Sequence, residues 1–262
     1  MTTEAMAGTA ERQGSLWGAR PRDWAATEAR HMPTYEHAVE RVGVDPGDRI
    51  LDVGCGAGTF LRLAADRGAR PAGLDASGSL LDVAAELVPE ADLRTGDMQW
   101  LPFADDSFDL VTGFNSFFFA ADTVAALAEA GRVARPGGTV LVQVWGNPQR
   151  CDLRPALEAL SRVRGAGPPT GPQLWRPGVL EGIAVRAGLR PGDAFDHGHA
   201  FEYADDGELL RDMLSAGGVV EATAAVGEQR VRSAILEALA PFRRDDGGYR
   251  LNNEWHLLAA TA

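Results

Sequence analysis

A short apolar run followed at once by three closely spaced glycines is the feature that most restricts how this chain can fold. The run extends from Ile50 to Val53, and Gly54, Gly56 and Gly58 come directly after it. A short apolar run that ends in glycines is typical of a buried strand in a parallel sheet. The residues that follow have helical spacing, so the glycines form a turn at which free N–H groups and missing side chains let a ligand approach the backbone. Alone, such a turn is only a weak indication of a nucleotide site.

Strands and helices alternate along the rest of the chain. Short apolar runs predict strands at residues 50–53, 71–75, 92–95, 108–114, 139–145, 195–203 and 249–260. Apolar residues three and four apart predict helices at residues 59–67, 77–87, 123–133, 153–163 and 179–187, with further helices within 17–42 and 205–240. Strands that alternate with helices form a mainly parallel sheet with right-handed crossovers, so we expect an α/β fold.

Asp75 strengthens the indication of a nucleotide site, because it ends the second predicted strand, 21 residues after Gly54. A carboxylate at that distance from a glycine loop accepts hydrogen bonds from the ribose hydroxyls of an adenosine cofactor. The alternative is that Asp75 only caps the helix that begins near Ser77. The ribose role is favoured, since α/β sheets bind their ligands at the carboxyl ends of the strands.

Two residues beside the loop distinguish the candidate cofactors. A dinucleotide fingerprint has a small residue, glycine or alanine, at the position of Thr59. Asp52 lies two residues before the first glycine. Its carboxylate would repel a pyrophosphate and attract the ammonium and sulfonium groups of S-adenosylmethionine (SAM). The loop therefore favours SAM over a nicotinamide dinucleotide.

Four motifs between residues 50 and 145 resemble those of the class I SAM-dependent methyltransferase family. They are LDVGCGAGTF from Leu51, GLDAS from Gly73, GDMQWLPFADDSFDLV from Gly96 and RVARPGGTVLV from Arg132. The resemblance implies a Rossmann-like class I methyltransferase fold, a mainly parallel seven-stranded sheet with helices on both faces. It also implies that Asp75 holds the ribose, Asp97 the adenine amino group and Met98 the adenine ring. The chain is most similar to the small-molecule branch that includes quinone-biosynthesis methyltransferases.

The expected cofactor-binding residues are Trp24, Asp52, Gly54, Cys55, Gly56, Asp75, Ala76, Asp97, Met98, Phe114 and Asn115. Several have a plainer alternative role. Met98 and Phe114 would also serve to fill the core, and Asn115 to cap a turn. Cys55 is expected to fill space in the loop, since no partner that would make it a nucleophile is indicated.

No sequence pattern identifies a general base, which methyl transfer needs only when the acceptor must lose a proton. His197 and His199 share one face of a predicted strand, and Tyr35 lies between His31 and His37 near the predicted site. His197, His199 and Tyr35 are the weak catalytic candidates, although a structural role is more common for any single histidine. With two cysteines and no Cys/His cluster of zinc spacing, no metal site is expected.

The segments outside the minimal sheet predict the domain organisation. Residues 1–14 are small, polar and aperiodic, which predicts a disordered tail. Residues 15–45 are predicted to form an N-terminal helical lid, whose Trp17 and Trp24 either line the site or only attach the helix to the core. Residues 46–262 form the predicted SAM-binding domain, with a helical insertion at about 205–244. We expect the lid and the insertion to cover the acceptor pocket together.

Charge and composition restrict the partners. The net charge is −12 and no arginine cluster marks a basic groove, so a nucleic acid is not expected as substrate. The chain has no lysine, which excludes a Walker A loop and a lysine Schiff base. No signal peptide and no apolar run of about 18 residues occur, so we expect a cytoplasmic protein that does not bind membranes. The oligomeric state is open.

Together these features predict an enzyme that transfers a methyl group from SAM to oxygen, nitrogen or carbon of a small, hydrophobic metabolite. The alternative is a SAM-binding protein of the same fold that catalyses another reaction, such as a cyclisation, because no base motif is present. A nicotinamide oxidoreductase is disfavoured by Asp52 and Thr59.

Overall fold

The computed structural model describes residues 9–165 and 173–262, and its centre is one seven-stranded sheet in the order β3-β2-β1-β4-β5-β7-β6. The strands are β1 (Arg49–Val53), β2 (Arg70–Asp75), β3 (Asp92–Thr95), β4 (Phe108–Phe114), β5 (Ala134–Trp145), β6 (Arg190–Tyr203) and β7 (Tyr249–Thr261). Strands β1 to β5 pair in parallel, whereas β7 is antiparallel to both β5 and β6. The predicted Rossmann-like, mainly parallel sheet is confirmed.

Eleven α-helices accompany the sheet in the described ranges. They are α1 (Ala10–Trp17), α2 (Pro21–Glu28), α3 (Met32–Val42), α4 (Thr59–Asp66), α5 (Gly78–Leu87), α6 (Thr123–Val133), α7 (Arg154–Val163), α8 (Val179–Arg186), α9 (Asp206–Ser215), α10 (Gly217–Val226) and α11 (Glu228–Leu239). The predicted break near Pro33 is a 3-10 turn, Ala29–His31, between α2 and α3. Pro33 then lies in the first turn of α3, where its missing N–H costs no helical hydrogen bond.

Alternate residues of the parallel strands face two separate cores. Ile50, Leu110 and Leu141 face one core, which also contains apolar residues of α3, α7 and α9–α11. Leu51 and Val111 face the other, which contains residues of α6 and α8. Because both faces of β1 and β4 are covered, these strands are apolar throughout most of their length, as is usual in parallel sheets.

Strands β2 and β3 lie on one side of β1, whereas β4 and β5 lie on its other side. The direction of the strand order therefore reverses between β1 and β4. The register aligns Asp52 of β1 with Gly73 of β2 and Thr112 of β4. Ligands of open α/β sheets bind at the carboxyl ends of the strands where the order reverses. The glycine loop leaves β1 at this point.

The predicted disordered tail is wrong for its last part. Helix α1 begins at Ala10, while residues 1–8 lie outside the described ranges. A Cβ placed on Gly14 would lie 2.2 Å from the carbonyl oxygen of Ala76, so the helix backbone rests directly on the turn after β2. Gly14 is one of the small residues that made this segment resemble a disordered tail, and its missing side chain permits α1 to approach Ala76.

Candidate cofactor and acceptor site

The glycine loop between β1 and α4 is fixed against the ends of β2 and β4. The N–H groups of Gly54 and Cys55 both donate to the carbonyl of Leu74, at 2.7 and 3.0 Å. A Cβ on Gly54 would lie 2.4 Å from Cβ of Ser116, just after β4. Gly54 and Gly56 have φ angles of +78° and +55°, which favour glycine. The loop therefore cannot carry side chains at these positions without moving away from the strand ends.

Asp75 connects the loop to the end of β2. Its carboxylate accepts hydrogen bonds from the N–H of Gly56 at 2.9 Å and from the N–H of Ser77 at 2.8 Å. Ser77 itself is the N-cap of α5, with its hydroxyl accepting from the N–H of Leu80. Helix capping is thus done by Ser77, and the carboxylate of Asp75 is oriented by the glycine loop.

Glu28 is the residue that ties the N-terminal helices to the loop. Its carboxylate accepts hydrogen bonds from the N–H of Ala57 at 2.7 Å and of Thr59 at 2.9 Å. These donors belong to the start of α4, where backbone N–H groups have no partner within the helix. The Glu28 side chain is buried, and a Cβ on Gly56 would lie 2.6 Å from its Oε2. Glu28 therefore packs directly over the centre of the loop.

Three buried carboxyl groups surround the loop, and their pKa values are raised. Burial raises the pKa of Glu28 to about 7, against hydrogen bonds from Ala57 and Thr59 that lower it. Burial raises the pKa of Asp52 to about 8, with further increases from the charges of Glu28 and Asp75. Burial also raises the pKa of Asp75. Among the described residues, no cationic side chain is hydrogen-bonded to any of the three, so the cluster is suited to a positively charged ligand.

A cavity of about 110 Å³ opens beside the loop, across the carboxyl ends of β2, β1 and β4. Its lining residues are Gln13, Trp17, Trp24, His31, Tyr35, Gly54, Gly56, Asp75, Ala76, Leu80, Met98, Phe114, Asn115, Ser116 and Phe119. A smaller cavity of about 30 Å³ adjoins it at the β2 end, where Asp97 and Met98 join Asp75 and Ala76. The two cavities place the predicted adenosine residues at one end and Tyr35 with Phe114 at the other.

Most of the predicted cofactor residues thus line one of these cavities: Trp24, Gly54, Gly56, Asp75, Ala76, Asp97, Met98, Phe114 and Asn115. Asp52 and Cys55 do not. Asp52 is buried behind the loop, where its Oδ1 accepts a hydrogen bond from Oγ1 of Thr112 at 2.7 Å. Cys55 packs with Leu61, Leu81 and Val88 on the far side of the loop. Burial raises the pKa of its thiol well above the usual value, consistent with a space-filling role.

The three catalytic candidates lie in different environments. His199 contacts the N-terminal helices through both ring nitrogens, Nδ1 with Oγ1 of Thr34 at 3.2 Å and Nε2 with the carbonyl of Arg30 at 2.8 Å. His197 stacks on His37 with ring centroids 4.5 Å apart. Neither of these two candidates lines the cavity beside the loop, whereas Tyr35 does.

Sequence reasoning missed Glu28 and Gln13, and it named His31 only as a neighbour of Tyr35. His31 lines the cavity within a group of aromatic rings, 5.1 Å from Phe201 and 5.4 Å from Trp255 between centroids. Burial lowers its pKa to about 3, so the ring is neutral. The sequence did contain a feature that could have identified Glu28 and His31. Both share helical spacing with Trp24 and Tyr35, so they are polar residues on the apolar side of a helical segment.

No cluster of His, Cys, Asp and Glu among residues 9–165 and 173–262 has the arrangement of a metal site. Within the same ranges, no helix has the length and apolar character needed to cross a membrane.

The sequence also matches known proteins. The profile of the methyltransferase domain family matches residues 51–142. A demethylmenaquinone methyltransferase of Renibacterium salmoninarum is 41% identical over 110 residues, which are 42% of this chain and 46% of that protein. This chain therefore spans less than half of that relative. An uncharacterized protein of Mycobacterium tuberculosis is 30% identical over 241 residues, covering 86% of this chain and 84% of the relative.

Among solved structures, a candidate methyltransferase of Bacillus halodurans superposes with a TM-score of 0.59 at 17% identity, covering 87% of this chain and 97% of that one. At this identity the likeness concerns the fold alone. The profile match, the glycine loop and the strand order show that residues 51–142 belong to a methyltransferase domain. SAM is the cofactor that this domain implies, and the buried carboxyls around the loop fit the positive charges that this cofactor carries.

Proposed function

We propose that this enzyme methylates a small, hydrophobic molecule. The lining of the cavity beside the loop carries the proposal, because the aromatic side chains of Trp17, Trp24, Tyr35, Phe114 and Phe119 form much of the wall that does not belong to the loop. An apolar wall of this kind favours a small metabolite over a protein tail or a nucleic acid.

We assign the cofactor contacts from their places in the fold. Asp75 is placed to accept the ribose hydroxyls, while Asp97 and Met98 at the smaller cavity are placed to hold the adenine. The buried carboxyls of Glu28 and Asp52 would stabilise the positive charges of the methionine part. When bound, SAM supplies an already activated methyl group. The remaining task of the protein is to align the acceptor and exclude water.

The N-terminal helices and the insertion are proposed to act together as a cover. Trp17 of α1 contacts Trp24 and Phe119, with centroids 4.6 and 5.5 Å apart. A Cβ on Gly217, at the start of α10, would lie 2.8 Å from the indole nitrogen of Trp17. Arg20 also forms an ion pair with Glu228 of α11 at 2.8 Å. These contacts support a lid in which α1 and α2 lie on the cavity and α10 and α11 support them from outside.

Tyr35 is the one original catalytic candidate that lines the cavity. Burial raises the pKa of its hydroxyl well above the usual value, so at neutral pH it is protonated and suited to donate a hydrogen bond. We therefore assign Tyr35 to acceptor positioning. An acceptor that must lose a proton would need another group, and the atom methylated, oxygen, nitrogen or carbon, stays open.

The test is transfer of label from methyl-labelled SAM. The purified enzyme is incubated with a cell extract, which is then separated into organic-extractable small molecules, protein and nucleic acid. Label in the small-molecule fraction, absent without enzyme and reduced with Asp75→Ala at a limiting SAM concentration, is the expected result. Label in protein or nucleic acid would refute the small-molecule acceptor. Tight binding of SAM without any transfer would instead favour the alternative, a reaction such as a cyclisation on the same fold.

A further inference from the structure

The outer edge of β6 presents backbone groups that its own sheet does not use. Among the described strands, β6 is the last of the sheet and pairs with β7 alone. The carbonyl of Glu254 in β7 accepts from the N–H of Gly146 beside β5 at 2.8 Å, so the even-numbered residues of β7 direct their backbone groups towards β5. The register sets His256 of β7 opposite Asp196. The even-numbered residues of β6 therefore direct their N–H and carbonyl groups away from β7, past the edge of the sheet.

Four of these outward residues have free backbone groups. They are Ala194, Asp196, Gly198 and Ala200. Within residues 9–165 and 173–262, no hydrogen bond is made by their N–H or carbonyl groups. The carbonyl of Glu202 comes next in the row and accepts from Nη1 of Arg30 at 2.5 Å, which agrees with the outward direction derived from the register. A row of unpaired N–H and carbonyl groups on an edge strand is a template for pairing with another strand.

Proteins usually protect such edges, and β6 has this protection at its start. Pro191 has no N–H to offer, and the register shift between Pro191 and Ala194 interrupts the strand there. From Ala194 to Tyr203 the pairing with β7 is regular. In the middle of this regular stretch, a Cβ on Gly198 would meet only the carbonyl of Asn253, at an ordinary contact distance of 3.4 Å. The chain itself therefore does not require a glycine there, and a glycine inside a strand often marks the close approach of another backbone.

The side chains of β6 are nearly symmetric about Gly198, which suits pairing with a second copy of the strand. His197 and His199 flank the glycine, and Phe195 and Phe201 lie two residues further out on the same face. When two copies of β6 lie antiparallel with their Gly198 residues opposite each other, His197 faces the partner's His199. Phe195 likewise faces the partner's Phe201. Aromatic pairs of this kind across two strands stabilise antiparallel sheets.

The charges of β6 fit the same register. Asp196 faces the partner's Ala200, and Glu202 faces the partner's Ala194, so each acidic side chain lies opposite a small neutral one. A register centred on His199 would instead set Asp196 opposite the partner's Glu202. Like charges directly opposite each other destabilise a sheet. Because the chain carries a net charge of −12, two copies can approach closely only where such oppositions are avoided.

We propose that two copies of this chain pair through β6, antiparallel and centred on Gly198, so that their two sheets become one. The contact is symmetric, as in most homodimers, and exchanges about six backbone hydrogen bonds between residues 196–200 of the two copies. The near-symmetry about Gly198 identifies the occupant of the edge as a second copy, because pairing with an unrelated strand would not require it. The inference concerns assembly and is independent of the methyl acceptor.

Sedimentation equilibrium of the full-length protein measures the dimer directly. We expect a dissociation constant below about 100 μM for the wild-type protein. Gly198→Pro should remain a monomer over the same concentrations, because proline removes the central N–H and places its ring at the symmetry axis. Proline is tolerated at an edge position whose N–H points outward, so the variant should fold, which its Tm and SAM affinity check. A wild-type protein that stays monomeric, or a dimer that persists in a folded Gly198→Pro variant, would overturn the proposal.

Two opposite substitutions of one residue test the register. Ala200→Arg sets a guanidinium opposite the partner's Asp196 on both sides of the axis and should tighten the dimer about threefold or more. Ala200→Asp sets a second carboxylate there and should weaken the dimer by a similar factor. The matched controls are Ala104→Arg and Ala104→Asp, which make the same changes of net charge at an exposed alanine between β3 and β4. Equal effects of the two charges at Ala200, or the same response at Ala104, would refute the pairing about Gly198.

Discussion

The buried carboxyls around the glycine loop predict that SAM affinity depends strongly on pH. Without ligand, the pKa values of Glu28 and Asp52 are raised to about 7 and about 8, by burial first, and in addition by the charge of Asp75 on both and by that of Glu28 on Asp52. Both groups are therefore mostly protonated near pH 5.5. The sulfonium and ammonium groups of SAM favour their ionised forms, so binding at that pH must release protons and is correspondingly weaker.

The magnitude follows from these pKa values. Each group that ionises on binding contributes at most about tenfold in affinity per pH unit below its unliganded pKa. Between pH 5.5 and 7, we expect SAM affinity to rise at least about tenfold, even if only one of the two carboxyls ionises completely. The amino group of the ligand stays protonated over this range, since its ordinary pKa is about 7.7–8.0.

Calorimetry with SAM and with S-adenosylhomocysteine gives the assay. The second ligand keeps the ammonium but lacks the sulfonium charge, so its affinity should rise less, and the ratio of the two affinities should increase with pH. Asp52→Asn keeps the Oδ1 that accepts from Thr112 and should flatten the increase. Asp82→Asn on the exposed side of α5 is the matched control. A ratio that stays constant from pH 5.5 to 7 would refute the electrostatic argument.

The same shifts predict the stability of the ligand-free protein. Because the folded-state pKa of Glu28 lies above its unfolded value, folded chains hold more protons between about pH 4.5 and 7. The contribution of this proton to the free energy of unfolding is complete below about pH 4.5 and is lost as pH rises through about 7. A shift from 4.5 to about 7 corresponds to roughly 3 kcal/mol. The Tm of the ligand-free protein should therefore fall over this range, and the increase in Tm on adding SAM should grow.

Three further predictions concern the loop and its cover. Asp75→Ala should weaken SAM binding about tenfold or more by calorimetry. Ser77→Ala removes the α5 cap and the contact with the Ser79 hydroxyl, and should cost about 1 kcal/mol of stability and little affinity; equal affinities of the two variants would oppose the ribose role. Gly56→Ala should weaken SAM binding more than tenfold, because its Cβ would collide with Glu28. Gly43 also has a positive φ but no neighbour within 4 Å, so Gly43→Ala should bind SAM normally; normal binding by both variants would make Gly56 dispensable. Deleting residues 1–18 should increase the dissociation rate of SAM about tenfold or more in stopped-flow measurements, and an unchanged rate would show that α1 is not part of a lid.

The parts of the fold that were predictable are those determined within short stretches of chain. Strand β1, the glycine turn and the start of α4 follow from about ten consecutive residues, and Asp75 from its place at the end of the next strand. The alternation of strands and helices then restricts the sheet to few topologies. Among the cavity residues, Phe114 ends β4, and Asn115 and Met98 follow the ends of β4 and β3, so their positions near the loop follow from the parallel sheet.

The start of strand β6 could not be predicted from apolar alternation. The alternation of apolar residues predicts a strand only from Phe195, whereas β6 begins at Arg190. The first residues include Pro191 and Gly192, and the register shifts between Pro191 and Ala194. An edge strand with a bulge does not need apolar alternation, because its pairing with β7 is made by backbone groups. The sequence of such a segment has the composition of a loop.

Glu28 and His31 could not be placed from the sequence for a different reason. Glu28 reaches the glycine loop, and His31 the cavity, only because α2 and the turn after it dock on the sheet. Docking depends on tertiary contacts such as the Arg30 ion pair with Asp212 at 2.9 Å. The helical spacing nevertheless put both residues on the same side as Trp24 and Tyr35, toward the core. A carboxyl and an imidazole on an apolar helix side must either find partners or serve a ligand. Glu28 finds partners in the loop, whereas Nδ1 of His31 has no hydrogen-bond partner among the described residues. Glu28 therefore orders the glycine loop, and the polar atom of His31 remains available to a ligand in the cavity.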